Sequence, residues 1–178
     1  MKVIIASDLH GSSYYLDRLI AVFNKENANK LILLGDIYNH GPRNPLPKDY
    51  NPIIVSEKLN AIKNHLIVIK GNCDSAVDTM ISQFDFIEDM VLFENDKSVF
   101  LTHGHVYNKD NLPKTNFNAV IYGHFHTGFI EKQADMVIAN PGSLSLPKNN
   151  TPNSYLVLEN GTLTLKDLEG NVIKSVEL

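Results

Sequence analysis

Seven side chains in this sequence could act together as metal ligands. They are Asp8, His10, Asp36, Asn72, His103, His124 and His126. Carboxylate, amide and imidazole groups in this mixture suit Mn, Fe or Zn. One carboxylate could bridge two ions, and two ions about 3.5 to 4 Å apart can hold the attacking and leaving oxygens of a displacement at phosphorus. The residue types therefore predict a two-metal site for phosphoester chemistry.

Each of these residues also has an ordinary structural explanation. An aspartate behind a strand is most often a helix cap or a turn former, so Asp8 or Asp36 alone would carry little weight. His40 and His65 are isolated histidines, and we assign them no role. The joint pattern is different, because Asp-x-His, Gly-Asp, Gly-Asn-x-Asp, His-Gly-His and Gly-His-x-His follow apolar runs in that order. Such a series would rarely arise from independent structural causes.

The elements that must position these residues are visible in the first half of the chain. The first three motifs each follow a short apolar run, at residues 3–6, 31–34 and 66–69. Continuous runs of this kind are typical of strands buried on both faces. Helices are predicted over residues 14–27, with Ser12 or Ser13 as N-cap, and over residues 53–63. Alternating strands and helices favour a parallel sheet, at whose carboxyl edge the ligands would converge.

The second half of the chain changes character. A polar turn at residues 95–97 separates predicted strands at 90–94 and 98–102, which indicates a hairpin. Further strands are predicted at residues 119–122, 129–132, 137–139, 155–158 and 163–168. Asn160-Gly161 is a strong hairpin turn between the last two. We therefore expect antiparallel hairpins to dominate this half.

Five motifs resemble the signature of the calcineurin-like metallophosphoesterases. They are SDLHG at 7–11, GD at 35–36, GNCD at 71–74, HGH at 103–105 and GHFH at 123–126. The strings NHGPRN at 39–44 and NPGSLSLPK at 140–148 resemble a bacterial phosphodiesterase subgroup of that family. The resemblance implies an α/β (α+β) fold, a β-sandwich of two mixed sheets flanked by helices with the metal site at one end. From the length of the chain we expect residues 1–178 to form a single domain.

The resemblance also implies a role for each site residue. One ion would be held by Asp8, His10 and His126, and a second by Asn72, His103 and His124, with Asp36 bridging the two. A bridging hydroxide would be the nucleophile. Catalysis would involve Asp36, His103 and Cys73, and substrate binding would involve Arg43, Asn72 and His105. Two divalent ions are expected, with Mn as the first choice by resemblance and Zn, Fe, Ni or Mg as alternatives.

Four of the remaining polar residues in these motifs carry weaker expectations. Arg43 lies in a long Pro/Asn-rich stretch, where its guanidinium could clamp a phosphate or form an ordinary surface ion pair. Cys73 stands where many family members have a histidine that assists the leaving group. A thiol there could become a thiolate near cations or simply make room for substrate. His105 and Asp74 are expected to orient metal ligands.

Composition limits the partners of the protein. The formal net charge of −4 argues against a broad basic surface for long nucleic acids, although bound metals would still attract a small anion. The single cysteine cannot form an internal disulfide, and no apolar stretch approaches the length of about 20 residues that spans a bilayer. We therefore expect a cytoplasmic protein without a membrane segment.

Several functions remain open at this point. Hydrolysis of a small phosphodiester is the one we expect, and a phosphomonoesterase is the main enzyme alternative. The acidic net charge of the chain argues against the hypothesis of a nuclease. A retromer subunit resembles the family in fold but serves protein assembly, so a catalytically weak binding scaffold is the alternative from another class. The intact His10, His124 and His126 favour catalysis. By analogy a homo-oligomer is one option for the assembly, and the sequence leaves the interface open.

Overall fold

A computed structural model describes residues 1–178 and contains twelve strands and two α-helices. The strands are β1 (Lys2–Ala6), β2 (Lys30–Leu33), β3 (Leu66–Ile69), β4 (Phe86–Ile87), β5 (Met90–Glu94), β6 (Lys97–Thr102), β7 (Ala119–Tyr122), β8 (Gly128–Gln133), β9 (Met136–Pro141), β10 (Ser154–Glu159), β11 (Thr162–Asp167) and β12 (Val172–Glu177). The helices are α1 (Ser13–Lys25) and α2 (Pro52–Ala61), and short 3-10 turns cover Lys63–His65 and Ala76–Met80.

The strands form two mixed sheets, as predicted. The first has seven strands in the order β12-β11-β10-β1-β2-β3-β4, and the second has five in the order β5-β6-β7-β9-β8. In the first sheet β1, β2, β3 and β4 are parallel, while β10, β11 and β12 are antiparallel to their neighbours. Because β1, β2 and β3 run side by side, the segments that follow them leave the sheet at one edge.

Both helices begin with the caps that their sequences favour. The Ser12 hydroxyl accepts a hydrogen bond from the backbone N–H of Tyr15 at 3.3 Å, and α1 then runs to Lys25. The Asn51 side chain accepts from Ile54 N–H at 3.2 Å, with Pro52 in the first turn of α2. These contacts satisfy backbone donors that a helix leaves unpaired at its start. The caps therefore set the residue at which each helix begins.

The apolar residues lie in three layers. Between the sheets, Val3, Ile5 and Ile32 of the first pack with residues such as Leu101 and Ile121 of the second. Alternate residues of β1 to β3 point to the other face, where they pack against the apolar faces of both helices. The outer face of the second sheet is covered by residues of the 103–118 segment, including Tyr107 and Phe117. The two sheets share one continuous core, which holds their carboxyl edges together.

The second half of the chain differs in part from expectation. The β5–β6 hairpin and the β10–β11 hairpin form as predicted, with Asn160 and Gly161 both at positive φ in the turn. The prediction that antiparallel hairpins dominate was wrong for β6, β7 and β9, which pair in parallel. Strands β4 and β12 were not predicted at all. Strand direction depends on long-range packing, which local patterns do not contain. Neither helix is long and apolar enough to cross a membrane.

Candidate metal centre

The candidate metal ligands follow five parallel strands whose carboxyl ends meet at one end of the sandwich. Asp8, Asp36 and Asn72 follow β1, β2 and β3 of the first sheet. His103 follows β6 of the second sheet, and His124 and His126 follow its parallel neighbour β7. Carboxyl ends of parallel strands are the usual place for ligand sites in such sheets. The two sheets thus bring together all seven residues that the motifs predicted.

The segments behind these strands have unusual backbone conformations. Five non-glycine residues of the site lie at positive φ, namely Asp8, His10, Asp36, His124 and His126. Such residues are uncommon, and backbone strain of this kind clusters at functional sites. The glycines of the motifs permit close packing here. A Cβ on Gly71 would collide with Asp36 Oδ1, and one on Gly123 would collide with Ser7 Oγ. Any larger residue would therefore push the ligand segments apart.

Asp8, His10 and His126 form the first of two ligand clusters. Asp8 Oδ1 lies 3.3 Å from His126 Nε2 and 3.7 Å from His10 Nε2, and the two Nε2 atoms are 3.1 Å apart. All three side chains are almost fully buried. Asp8 Oδ1 is also buried without a hydrogen-bond partner. A buried carboxylate oxygen without a donor is costly, so this cluster fits a bound cation.

Asp36, His103 and His124 form the second cluster, with Asn72 beside it. His103 Nε2 lies 3.4 Å from Asp36 Oδ1 and 2.9 Å from Asn72 Oδ1. The ligand atoms of Asp36, His103 and His124 are close enough together to hold one metal ion. Asp36 Oδ2 points the other way and lies 3.8 Å from His10 Nε2. The Asp36 carboxylate therefore stands between the two clusters and presents one oxygen to each.

Backbone carbonyls orient three of the imidazoles. The Nδ1 atoms of His10, His103 and His126 lie 2.7, 2.6 and 2.7 Å from the carbonyl oxygens of Asn39, Leu34 and Leu146, respectively. A carbonyl can only accept, so each Nδ1 carries a proton and donates it. In the neutral ring this leaves the Nε2 lone pair free, and all three Nε2 atoms face into the clusters. Partners of this kind are typical of histidines that bind metals.

Burial and neighbouring charges shift the pKa values of these groups. Burial lowers the pKa of His10, against the opposing pull of Asp8, and burial also lowers the pKa of His124. Burial alone would raise the pKa of Asp8, but the surrounding histidines, foremost His126, hold it below its usual range. Burial would likewise lower the pKa of His126, yet Asp8 raises it. Ionised Asp8 and neutral His10 are the states in which these two groups bind metals, whereas the raised pKa of His126 means that a proton on this ring must leave before it can bind an ion.

Asp74 ties two of the strand-end loops together. Its Oδ2 accepts from the backbone N–H groups of Asp36 and Gly71 at 2.8 and 2.7 Å, and its Oδ1 accepts from Ile37 N–H at 2.8 Å. Burial raises the pKa of Asp74 to about 6, although the three N–H groups oppose that rise. Asp74 thus positions the backbone of Asp36, in agreement with the orienting role that we expect for it.

The segment 140–148 supports the ligands from another side. Ser143 and Ser145 donate their hydroxyls to the backbone carbonyl of Asp8 at 2.8 and 3.1 Å. Asn140 donates its side-chain amide to the carbonyl of Gly123 at 2.7 Å. Leu146 supplies the carbonyl that orients His126. Residues of the NPGSLSLPK string therefore support both the backbone of Asp8 and the ring of His126 in the first cluster.

A cavity of about 850 Å³ opens over the two clusters. Its walls contain Asp36, Asn39, Gly41, Pro42, Arg43, Asn44, Asn72, Cys73, His124, Phe125, His126 and Lys148. Arg43 and Cys73 line the cavity and their roles stay predictions, while His105 is exposed and does not line the cavity. The centre of the His105 ring lies 5.4 Å from that of His103, beside the second cluster. The substrate-binding role of His105 stays a prediction. Phe125 and Lys148 were missed, although both lie within the quoted motifs.

Cys73 is held as a neutral thiol in the absence of metals. Burial, followed by the negative charge of Asp36, raises the pKa of the Cys73 thiol to about 12. Its backbone N–H donates to Asp36 Oδ1 at 2.9 Å. Its Sγ lies with His10 and Asp36 in a third group of potential ligand atoms. The Cys73 backbone thus orients the central carboxylate, while its side chain faces the cavity.

The fold and the two ligand clusters define a class of metal-dependent phosphoesterases. The sequence profile of the calcineurin-like phosphoesterase superfamily domain matches residues 1–162, and the chain belongs to this superfamily. It is 43% identical to phosphodiesterase YfcE of Escherichia coli strain K12 over 168 residues, which are 93% of this chain and 91% of that protein. It is also 29% identical to the probable metallophosphoesterase YsnB of Bacillus subtilis strain 168, across 99% of this chain and 97% of that one.

Solved structures show the same fold. The structure of the phosphoesterase YfcE from E. coli superposes with a TM-score of 0.95 at 39% identity, covering 99% of both chains. Vacuolar protein sorting 29 from Cryptosporidium parvum superposes with a TM-score of 0.64 at 17% identity, covering 99% of this chain and 98% of that one. The second likeness is one of fold alone, since fold does not determine function.

Proposed function

We propose that this protein is a metal-dependent phosphodiesterase that hydrolyses a small substrate at a dinuclear centre. In this proposal residues 1–178 act as one domain, because both sheets supply ligands to the same site. The likeness to phosphodiesterase YfcE supports the activity. The two adjacent clusters of buried ligands support the need for divalent metals.

The position of Asp36 is the observation that carries this proposal. Its Oδ1 faces His103 and its Oδ2 faces His10, at 3.4 and 3.8 Å. A carboxylate that presents one oxygen to each of two ligand groups is arranged to bridge two ions. We accordingly propose that Asp8, His10 and His126 hold one ion and that Asn72, His103 and His124 hold the other. Manganese is our first choice, with Zn, Fe, Ni and Mg as alternatives.

Each part of the site has a task in this proposal. Two bound ions would activate the bridging hydroxide as nucleophile and would stabilise charge on the phosphoryl oxygens. Arg43, exposed on the cavity wall, would pair with a phosphate group of the substrate through its guanidinium. The orienting carbonyls behind His10, His103 and His126 keep the donor atoms aimed inward, so little reorganisation is needed when the ions bind.

Two alternatives make different demands on the site. A phosphomonoesterase would use the same ligands, and only its substrate preference would differ. A catalytically weak scaffold would have no need for a complete set of buried ligands. All seven predicted ligands are present and brought together here, which favours catalysis over a scaffold role. The net charge of −4 favours a small substrate over a long nucleic acid.

The test is hydrolysis of bis(p-nitrophenyl) phosphate and p-nitrophenyl phosphate side by side. Protein is stripped of metal and then assayed without metal, with Mn and with Zn. We expect turnover of the diester that appears only after metal is restored and that exceeds turnover of the monoester. Preference for the monoester would replace the diesterase proposal with a phosphomonoesterase. No turnover of either compound by metal-loaded protein would favour the scaffold.

A further inference from the structure

The cavity wall carries two groups that hydrolysis of a simple diester does not require, Phe125 and Lys148. Both lie among the residues around the metal clusters. Phe125 is 44% exposed, although it stands between the buried ligand His126 and the half-buried ligand His124. An exposed phenylalanine on an open surface is ordinary. One held at the rim of a polar cavity is a surface on which a ligand can stack.

The Phe125 ring is fixed in place before any ligand arrives. Its edge-to-face contacts are with His124, at 5.2 Å and 88°, and with Tyr122, at 5.8 Å and 74°. The backbone is fixed as well, because Phe125 N–H donates to Gly123 O at 2.7 Å and His124 N–H donates to Asp8 Oδ2 at 2.9 Å. A ring that is already ordered loses little entropy on binding a flat partner. Its position therefore favours stacking with an aromatic part of the substrate.

The cations of the cavity wall point to additional negative charge on the substrate. Arg43 and Lys148 both line the cavity, and no carboxylate lies within 4.0 Å of either. The backbone of Lys148 is held by its N–H bond to His126 O at 2.9 Å. Asp36 is the only acidic residue of the wall, and it faces the ligand clusters. The single charge of a diester is met by the metals, so the free cations suit a second anionic group.

We propose that the cavity binds a nucleotide-class phosphodiester, whose base stacks on Phe125 and whose additional phosphate pairs with Lys148 and Arg43. This inference rests on the proposed function and names its substrate class. A cavity of about 850 Å³ accommodates a nucleotide, since small-molecule sites span about 300 to 1,000 Å³. Stacking tolerates different bases because each base has a π-face. We therefore expect selectivity for nucleotides as a class.

Calorimetric titration of the manganese-loaded protein with ribose 5-phosphate and AMP tests the stacking part. The two compounds share a sugar phosphate and differ by the base. We expect AMP to bind about tenfold more tightly than ribose 5-phosphate. This advantage should vanish in Phe125→Leu and persist in Phe125→Tyr, which keeps an aromatic ring. The matched control is Phe93→Leu. Phe93 lies on β5, is 72% exposed and does not line the cavity. This variant should keep the full preference.

Titration with ADP tests the charge part. We expect ADP to bind about fivefold more tightly than AMP, a gain that Lys148→Met should abolish. The matched control is Lys132→Met, which changes an exposed lysine of β8 that does not line the cavity. This variant should retain the tighter binding of ADP. Equal affinities of the wild-type protein for AMP and ADP would overturn the assignment of a second phosphate to Lys148 and Arg43.

The titrations separate this inference from the proposed function because they measure binding rather than turnover. Equal affinities for ribose 5-phosphate and AMP in a protein that hydrolyses bis(p-nitrophenyl) phosphate would overturn the nucleotide site alone. A full preference for AMP in Phe125→Leu would overturn it as well. A base preference that depends on Phe125, in a protein without turnover, would support the site while the hydrolase proposal fails.

Discussion

His10 and His126 face each other with their Nε2 atoms 3.1 Å apart. Both rings donate their Nδ1 protons to backbone carbonyls, so in the neutral state two lone pairs point at each other. This contact is unfavourable unless a positive charge lies between them. A proton shared between the rings would satisfy it in part, and a divalent ion would also satisfy the unpartnered Asp8 Oδ1. The apo cluster is therefore destabilised in a way that metal binding relieves.

Metal binding should consequently stabilise the fold. An ion present at 100 times its dissociation constant contributes about 2.7 kcal/mol to the free energy of unfolding. For a chain of this size we expect Tm to rise by about 5 to 10 °C when manganese is added to stripped protein. Differential scanning calorimetry measures the shift.

A matched pair of histidine variants provides the control for that experiment. His10→Ala removes a ligand of the first cluster and should abolish most of the manganese-dependent shift. His65→Ala changes an exposed histidine whose contact is with Asn29 O, outside the site, and should leave the shift intact. Equal shifts in both variants would show that manganese binds elsewhere.

Replacement of Asp36 tests the bridge between the clusters. Asp36→Ala should lower kcat for bis(p-nitrophenyl) phosphate by about two orders of magnitude or more, because neither cluster would keep its shared carboxylate. Asp135→Ala, in the exposed turn between β8 and β9, serves as the matched control and should retain normal turnover. Metal content is measured on both proteins. A near-normal rate for Asp36→Ala with two ions bound would contradict the bridging assignment.

Replacement of Cys73 tests its effect on substrate choice. In the metal-free protein burial raises the pKa of the thiol to about 12, so the side chain is a neutral group at pH 7. Cys73→His would place a group that can be charged beside the leaving oxygen. We expect the ratio of monoester to diester hydrolysis to change by about tenfold, while Cys73→Ser leaves it nearly constant. The kcat/KM values for both p-nitrophenyl substrates give the ratio. An unchanged ratio in Cys73→His would count against an effect of residue 73 on substrate choice.

Asp74 should make the stability of the stripped protein depend on pH. Its folded-state pKa, about 6, lies above the ordinary value of 3.8. Between these values the folded state keeps a proton that the unfolded state has released, so stability falls as the pH rises. The stabilising contribution is complete below about pH 4 and is lost through about pH 6, with a total on the order of 3 kcal/mol.

Urea unfolding of wild-type and Asp74→Asn proteins from pH 4 to 7 isolates this effect. The variant loses an acceptor for a backbone N–H and is less stable at low pH, but it cannot titrate at this position. Its deficit relative to the wild type should narrow between pH 4 and pH 6. A difference that is constant over this range would show that Asp74 keeps an ordinary pKa.

Much of the first half could be predicted because its signals are local. The apolar runs of β1 to β3, the Ser12 cap and the spacing of α1 are properties of neighbouring residues, and the structure confirms them. The parallel pairing of β6, β7 and β9 could not be predicted in this way. Their partners are distant in sequence, and an apolar run does not encode the direction of its neighbour.

The sequence by itself determined which side chains could form the centre, since residue type and order specify the donor atoms and the strands that precede them. Only the tertiary structure decided how those atoms are aimed. The carbonyls of Asn39, Leu34 and Leu146 select the free nitrogen of three histidines, and they come from loops far from those histidines in the chain. The two directions of the Asp36 carboxylate likewise exist only because two sheets meet at one edge. Long-range packing sets such directions, and motif spacing does not record them.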